Sequence, residues 1–115
     1  MNAFDAIVKW QEERNLTEFV APYEHSLLVE ELQEFYMAYS EDNEHEMVDA
    51  LCDIIVVAVG SLNKLGYDPK SALSETLKEI NCRVGSVNKS TGKWKKDPDQ
   101  DPDTLYKADY NSARR

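Results

Sequence analysis

Apolar residues recur at helical rather than strand spacing along most of the chain. Phe4, Ile7, Val8 and Trp10 or Gln11 predict a short amphipathic helix from Asn2 or Asp5 to Arg14, ending near Asn15. Pro22 suits a first helical turn, and Leu28, Leu32, Phe35 and Tyr39 step by four, three and four, predicting a second helix over about 22–39 with one apolar stripe. Ser40 to Asn43 is a polar break, after which Met47, Leu51, Ile54, Ala58, Leu62 and Leu65 trace a third helix that Gly66 would cap. Asp68 can cap a fourth helix opened by Pro69, and Leu73, Leu77, Ile80 and Val84 carry it to about Gly85. Beyond Gly85 the periodicity stops. The segment Ser90-Thr91-Gly92, then KWKKDPDQDPD and LYKADY, reads either as a hairpin about Thr91-Gly92 or as an irregular arm packed through Trp94, Tyr106 and Tyr110. The pattern predicts an all-α fold: an antiparallel four-helix bundle with its helical core at about 22–85 and an irregular C-terminal arm at about 86–115.

A length of 115 residues suits one domain over 1–115, burying roughly two-thirds of its unfolded surface without disulfide staples. Lys and Arg number 13 against 22 Asp and Glu, a net charge of -9, which has the wrong sign for gripping nucleic acid or an anionic bilayer. The longest strongly apolar run, Ile54 to Val59, is far short of the roughly 20 residues that span a membrane. No basic-then-apolar leader opens the sequence, so a cytoplasmic location is expected. Cys52 and Cys82 lack the spacing of a zinc site and read as free thiols, with Cys52 expected in the core. His25 and His45 are isolated and read as exposed or capping residues.

The placement of charge says more than its total. Eleven acids lie between Glu18 and Asp53 with no Lys or Arg among them, whereas acids on a solvated helix usually have bases three or four residues away. Taking Glu46 as zero on a helix, Asp49 falls at about 300° and Asp53 at about 340°, and Val56, Val57 and Gly60 continue the same face. That acidic face therefore runs into apolar surface. Glu31 and Glu34 form a similar pair on the second helix. If the two helices pack antiparallel, Glu31, Glu34, Glu46, Asp49 and Asp53 converge, and so many carboxylates cannot all stay ionised without cations. All-oxygen ligands point to Mg²⁺, or Mn²⁺, rather than zinc, and Mg²⁺ commonly completes its shell with phosphate oxygens. The competing reading is a non-catalytic helical interaction module whose acids merely solubilise it. Either way, Ile54 to Val59 is apolar on all sides, which predicts a homodimer or homotetramer.

The ordered strings VEELQEF (29–35), EMVDALCDIIVVAVG (46–60), GYDPKSAL (66–73), ETLKEINCRVG (75–85) and GKWKKDPD onward to LYKADY resemble the MazG-like all-α nucleoside triphosphate pyrophosphohydrolases. The likeness is to the small phosphoribosyl-ATP pyrophosphohydrolase-like members and covers about 22–110. It implies metal ligation by Glu31 with Glu34 and by Glu46 with Asp49. Counted back from Gly66, Asp53 stands where many relatives place their final Asp. The implied reaction cleaves a canonical or modified (deoxy)nucleoside triphosphate between the α- and β-phosphates, giving the monophosphate and pyrophosphate. Phosphoribosyl-ATP is the alternative substrate. Glu34 is the expected base for the attacking water. Lys78, Arg83, Lys89 and Lys93 are the cations available for the phosphates, and Asn81 resembles an Asn that faces the nucleotide in relatives.

Overall fold

A computed structural model describes residues 1–115. It holds four helices, α1 (Ala3–Glu13), α2 (Ala21–Ser40), α3 (Glu44–Lys64) and α4 (Pro69–Asn81). One antiparallel hairpin follows, β1 (Gly85–Val87) with β2 (Trp94–Lys96), and then 3₁₀ turns at Pro102–Thr104 and Tyr110–Ala113. The all-α expectation holds. The chain forms two compact units, Met1–Pro69 with Arg115, and Lys70–Arg114. No helix is long and apolar enough to cross a membrane.

In the first unit the helix ends are fixed by local chemistry. Asn2 caps α1 by accepting from the Asp5 amide at 2.9 Å. At the end of α2, Asp42 takes a left-handed conformation (φ 54°), the Asp42 amide donates to the Tyr39 carbonyl and the Asn43 amide to that of Ala38. Asn43 then caps α3 through the Glu46 amide at 3.2 Å, so the chain reverses within Glu41–Asn43 and α3 must return antiparallel to α2. Gly66 (φ 94°) ends α3 in the same motif, with the Gly66 amide on Asn63 and the Tyr67 amide on Leu62. Gln11 of α1 lies against Gly60, where any Cβ would meet its side-chain amide, and its Oε1 accepts from Asn63 Nδ2 at 3.0 Å.

The buried face of α2 is not the stripe the apolar residues alone predict. Glu24, Leu27, Leu28, Glu31, Phe35 and Ala38 are buried or half-buried at helical spacing, whereas Leu32 and Tyr36 are 55% and 57% exposed. On α3, Met47, Ala50, Asp53, Ile54, Val57, Gly60 and Lys64 turn inward, while Leu51, Ile55 and Cys52 are exposed. The expectation of a core Cys52 is thus corrected: it lies on the outward face with Ile55 and Val56.

In the second unit, α4 stops at Asn81 rather than near Gly85. Gln100 explains the difference. Its Oε1 takes the Val84 amide at 2.7 Å and its Nε2 donates to the Cys82 carbonyl at 2.8 Å, which draws backbone groups out of the helix. Both forms open for the arm are present: the hairpin of β1 and β2, and after it an irregular segment in which the Tyr110 hydroxyl meets that of Thr76 on α4 at 2.9 Å. Trp94 lies over Gly85, where a Cβ would collide with the indole. Tyr106 anchors the following segment by donating its hydroxyl to Glu75.

Candidate metal centre

Three carboxylates from the inner faces of α2 and α3 meet at mid-length. One oxygen from each of Glu31, Glu34 and Asp53 lies within 4.8 Å of the others. Glu31 and Asp53 are half-buried because they occupy inward positions of their helices, and Glu34, one turn beyond Glu31, opens to solvent. The Glu31 Oε2 atom is buried without a hydrogen-bond partner. Such an atom is costly unless another charge or donor reaches it.

Two of the three carboxylates resist ionisation. Burial, then the adjoining Glu34 carboxylate, with Asp53 and Glu30 behind it, pushes Glu31 up to about 7. Asp53 is also raised, first by burial and then by Asp49 and Glu34, with Glu31 offsetting part of the shift. The bases of residues 1–69 are Lys9, Arg14 and Lys64. Lys64 is held by Glu24 and Arg14 stacks 4.5 Å from the Trp10 ring centroid. A hard divalent cation fits this donor set, since the ligands are all oxygen, carry surplus negative charge and include an orphaned buried atom.

Glu46 and Asp49 stand beside this cluster rather than in it. Together with Glu34 they line a groove of about 570 Å³, which Glu30 and Glu41 extend. Sequence reasoning passed over those last two, although Glu30, Glu34 and Glu41 step by four and seven and so share a helical face. The expected phosphate-holding residues belong to the second unit. Lys78 pairs with Glu75 at 2.8 Å and Arg83 with Glu79 at 3.0 Å. Asn81 is exposed at the last position of α4, and Lys89 and Lys93 are exposed in the turn between β1 and β2. His25 and His45 are exposed, as expected.

The carboxylates of α4 are the converse of the cluster. Glu75 is buried and accepts from Lys78, from the Tyr106 hydroxyl and from the Asp109 amide at 2.9 Å. Those donors, Lys78 first, hold its carboxyl at about 2. Glu79 accepts from Arg83 and from the Ala108 amide at 3.0 Å.

No curated protein and no solved structure matches the chain. A family model described as phosphoribosyl-ATP pyrophosphohydrolase matches residues 9–80, a stretch that contains Glu31, Glu34, Glu46, Asp49 and Asp53. Enzymes of that family are metal-dependent pyrophosphohydrolases, in keeping with a carboxylate cluster able to hold an ion. The chain belongs to the phosphoribosyl-ATP pyrophosphohydrolase family, within the MazG-like all-α superfamily.

Proposed function

We propose that the chain is a Mg²⁺-dependent nucleotide pyrophosphohydrolase that cleaves between the α- and β-phosphates and releases pyrophosphate. The observation that carries this reading is the convergence of Glu31, Glu34 and Asp53 with no protein cation beside them. Glu31 and Asp53, fixed by their inward positions, would hold the ion together with Glu34, and Glu46 and Asp49 would support it from the adjoining groove. A divalent cation there supplies neutralisation of the phosphates and of the leaving pyrophosphate. Glu34, the solvent-facing member, accepts the proton of the attacking water. Lys78, Arg83, Lys89, Lys93 and Asn81, the residues expected to contact the nucleotide, belong to the second unit and are assigned no place at this cluster. Arg83 can serve two partners, because its guanidinium has donors beyond the one Glu79 uses.

Two substrate classes remain, and the family match favours phosphoribosyl-ATP at least as strongly as (deoxy)nucleoside triphosphates, canonical or modified. The enzyme works in the cytoplasm as a homodimer or homotetramer, a reading supported by Leu32, Tyr36, Ile55 and Val56, all exposed on α2 and α3. The test is pyrophosphate release with Mg²⁺ from phosphoribosyl-ATP and from a panel of triphosphates, native protein against Asp53→Asn. Monophosphate products lost in the variant are expected, and the better substrate ranks the two classes. No release from any of them would leave the acidic interaction module.

A further inference from the structure

A second cavity, of about 690 Å³, lies within the Lys70–Arg114 unit and has a composition opposite to that of the acidic groove. Arg83, Lys96 and Lys107 bring positive charge to it, and Pro98, Leu105 and Tyr106 give it apolar walls. Two acids also line it. Glu79 accepts from Arg83 and the Ala108 amide, and the Asp97 carboxylate accepts from the Asp99 amide at 2.9 Å. The side chains of Lys96 and Lys107 are exposed and make no hydrogen bond or ion pair, and three cations against two carboxylates leave the cavity one positive charge in excess. That is unusual in a chain of net charge -9.

The walls are fixed before any ligand arrives. Gln100 ties Val84, Cys82 and Thr104 together, the last at 3.0 Å. The Tyr106 amide donates to Cys82 Sγ at 2.9 Å, its hydroxyl is held by Glu75, and the Ala108 amide is held by Glu79. Lys107 therefore projects from a backbone pinned on both sides. Lys96 sits in β2 opposite Gly85, and the Asp97 amide donates to the Val84 carbonyl at 2.7 Å. A pinned cavity of this size loses little entropy on binding a small molecule. Apolar walls beside free ammonium groups suit a ligand that is flat and apolar at one end and multiply anionic at the other.

We propose that this cavity is a nucleotide-binding site in its own right, with Lys96, Lys107 and Arg83 taking the phosphate and the Tyr106, Pro98 and Leu105 wall taking the base. The cations that define it lie beyond residues 9–80, the stretch matched by the family model. The site needs no metal, and its Lys96 and Lys107, unlike Arg83, have no part in the hydrolase reading.

Amide NMR of the full chain in EDTA tests it, because the metal-free carboxylate cluster repels phosphate while this cavity keeps its charge. Titration with AMP is expected to give saturable shifts at Arg83, Lys96, Gln100 and Lys107. The Lys96→Ala/Lys107→Ala variant, which removes two unpartnered surface side chains, should bind about tenfold or more weakly. A charge-matched Lys9→Ala/Lys70→Ala variant should bind as the native protein does. Absence of saturable shifts, or equal weakening in both variants, would overturn the site. Inorganic phosphate should require a higher concentration than AMP, and equal affinity would overturn the assignment of the apolar wall to a base.

Discussion

Glu24 and Glu31 are seven residues apart on the same inward face of α2, yet they meet opposite partners on α3. Glu24 finds Lys64 at 3.0 Å and the Ser61 hydroxyl at 2.8 Å. Two turns further along, Glu31 faces Asp53, another acid, and one of its oxygens has no partner. The first arrangement is a completed ion pair, buried on both sides. The second is a group of acids, with Glu34 as its third member. An inward carboxylate that no positive charge reaches is costly to ionise, so under the proposed function the middle of α2 and α3 would take a bound cation where Glu24 takes Lys64. Glu75 on α4 repeats the completed form, with Lys78 as its base.

The largest effect should come from the carboxylate cluster. Glu34→Gln or Asp53→Asn is expected to lower Mg²⁺-dependent pyrophosphate release about a thousandfold, measured as kcat on the better substrate. The completed pair should respond in stability instead. Lys64→Met strands a buried Glu24 and should cost about 3 kcal/mol in urea unfolding, with the response to Mg²⁺ retained. Glu31→Gln should act with opposite signs on the two properties. Removing one like charge from the cluster stabilises the metal-free protein by about 0.5 kcal/mol at pH 8, while metal binding weakens. A melting curve in EDTA that falls rather than rises would break the comparison.

The smallest expected effect is a change in the shape of a pH profile. Glu75 is held at about 2, below its ordinary value of 4.5, so its contribution is full above about 4.5 and disappears as the pH falls through about 2. Glu75→Gln should therefore melt below the native protein at pH 7, with the gap narrowing between pH 4.5 and pH 2. A constant gap would mean that the carboxylate charge of Glu75 plays no part in holding Tyr106 and Asp109.

Much of this contrast was legible in the sequence. Lys78 stands three residues after Glu75 and Arg83 four after Glu79, whereas Glu31, Glu34 and Asp53 have no base at either distance. The helices were legible for the same reason, since Asn2, Pro22, Asn43, Gly66 and Pro69 punctuate a helical period. Periodicity of apolar residues was a poorer guide to which face is buried. Leu32, Tyr39 and Leu51 fit the apolar stripe but are exposed, because Glu24, Glu31 and Asp53 take inward positions that hydrophobicity assigns to solvent. The pairing of Glu24 with Lys64 spans 40 residues, and the hold of Gln100 on Val84 spans 16. No local pattern reveals either, and it was the second that shortened α4 and shaped the cavity beside it.

The central claim is that Glu31, Glu34 and Asp53 bind a divalent cation. Thermal melting at pH 8 with EDTA and with millimolar Mg²⁺, for the native chain and for Asp53→Asn, tests it most directly. A ligand that binds only the native state raises its melting temperature, so the native chain should gain stability with Mg²⁺ and Asp53→Asn should not. Coincident native curves in EDTA and in Mg²⁺ would contradict the account.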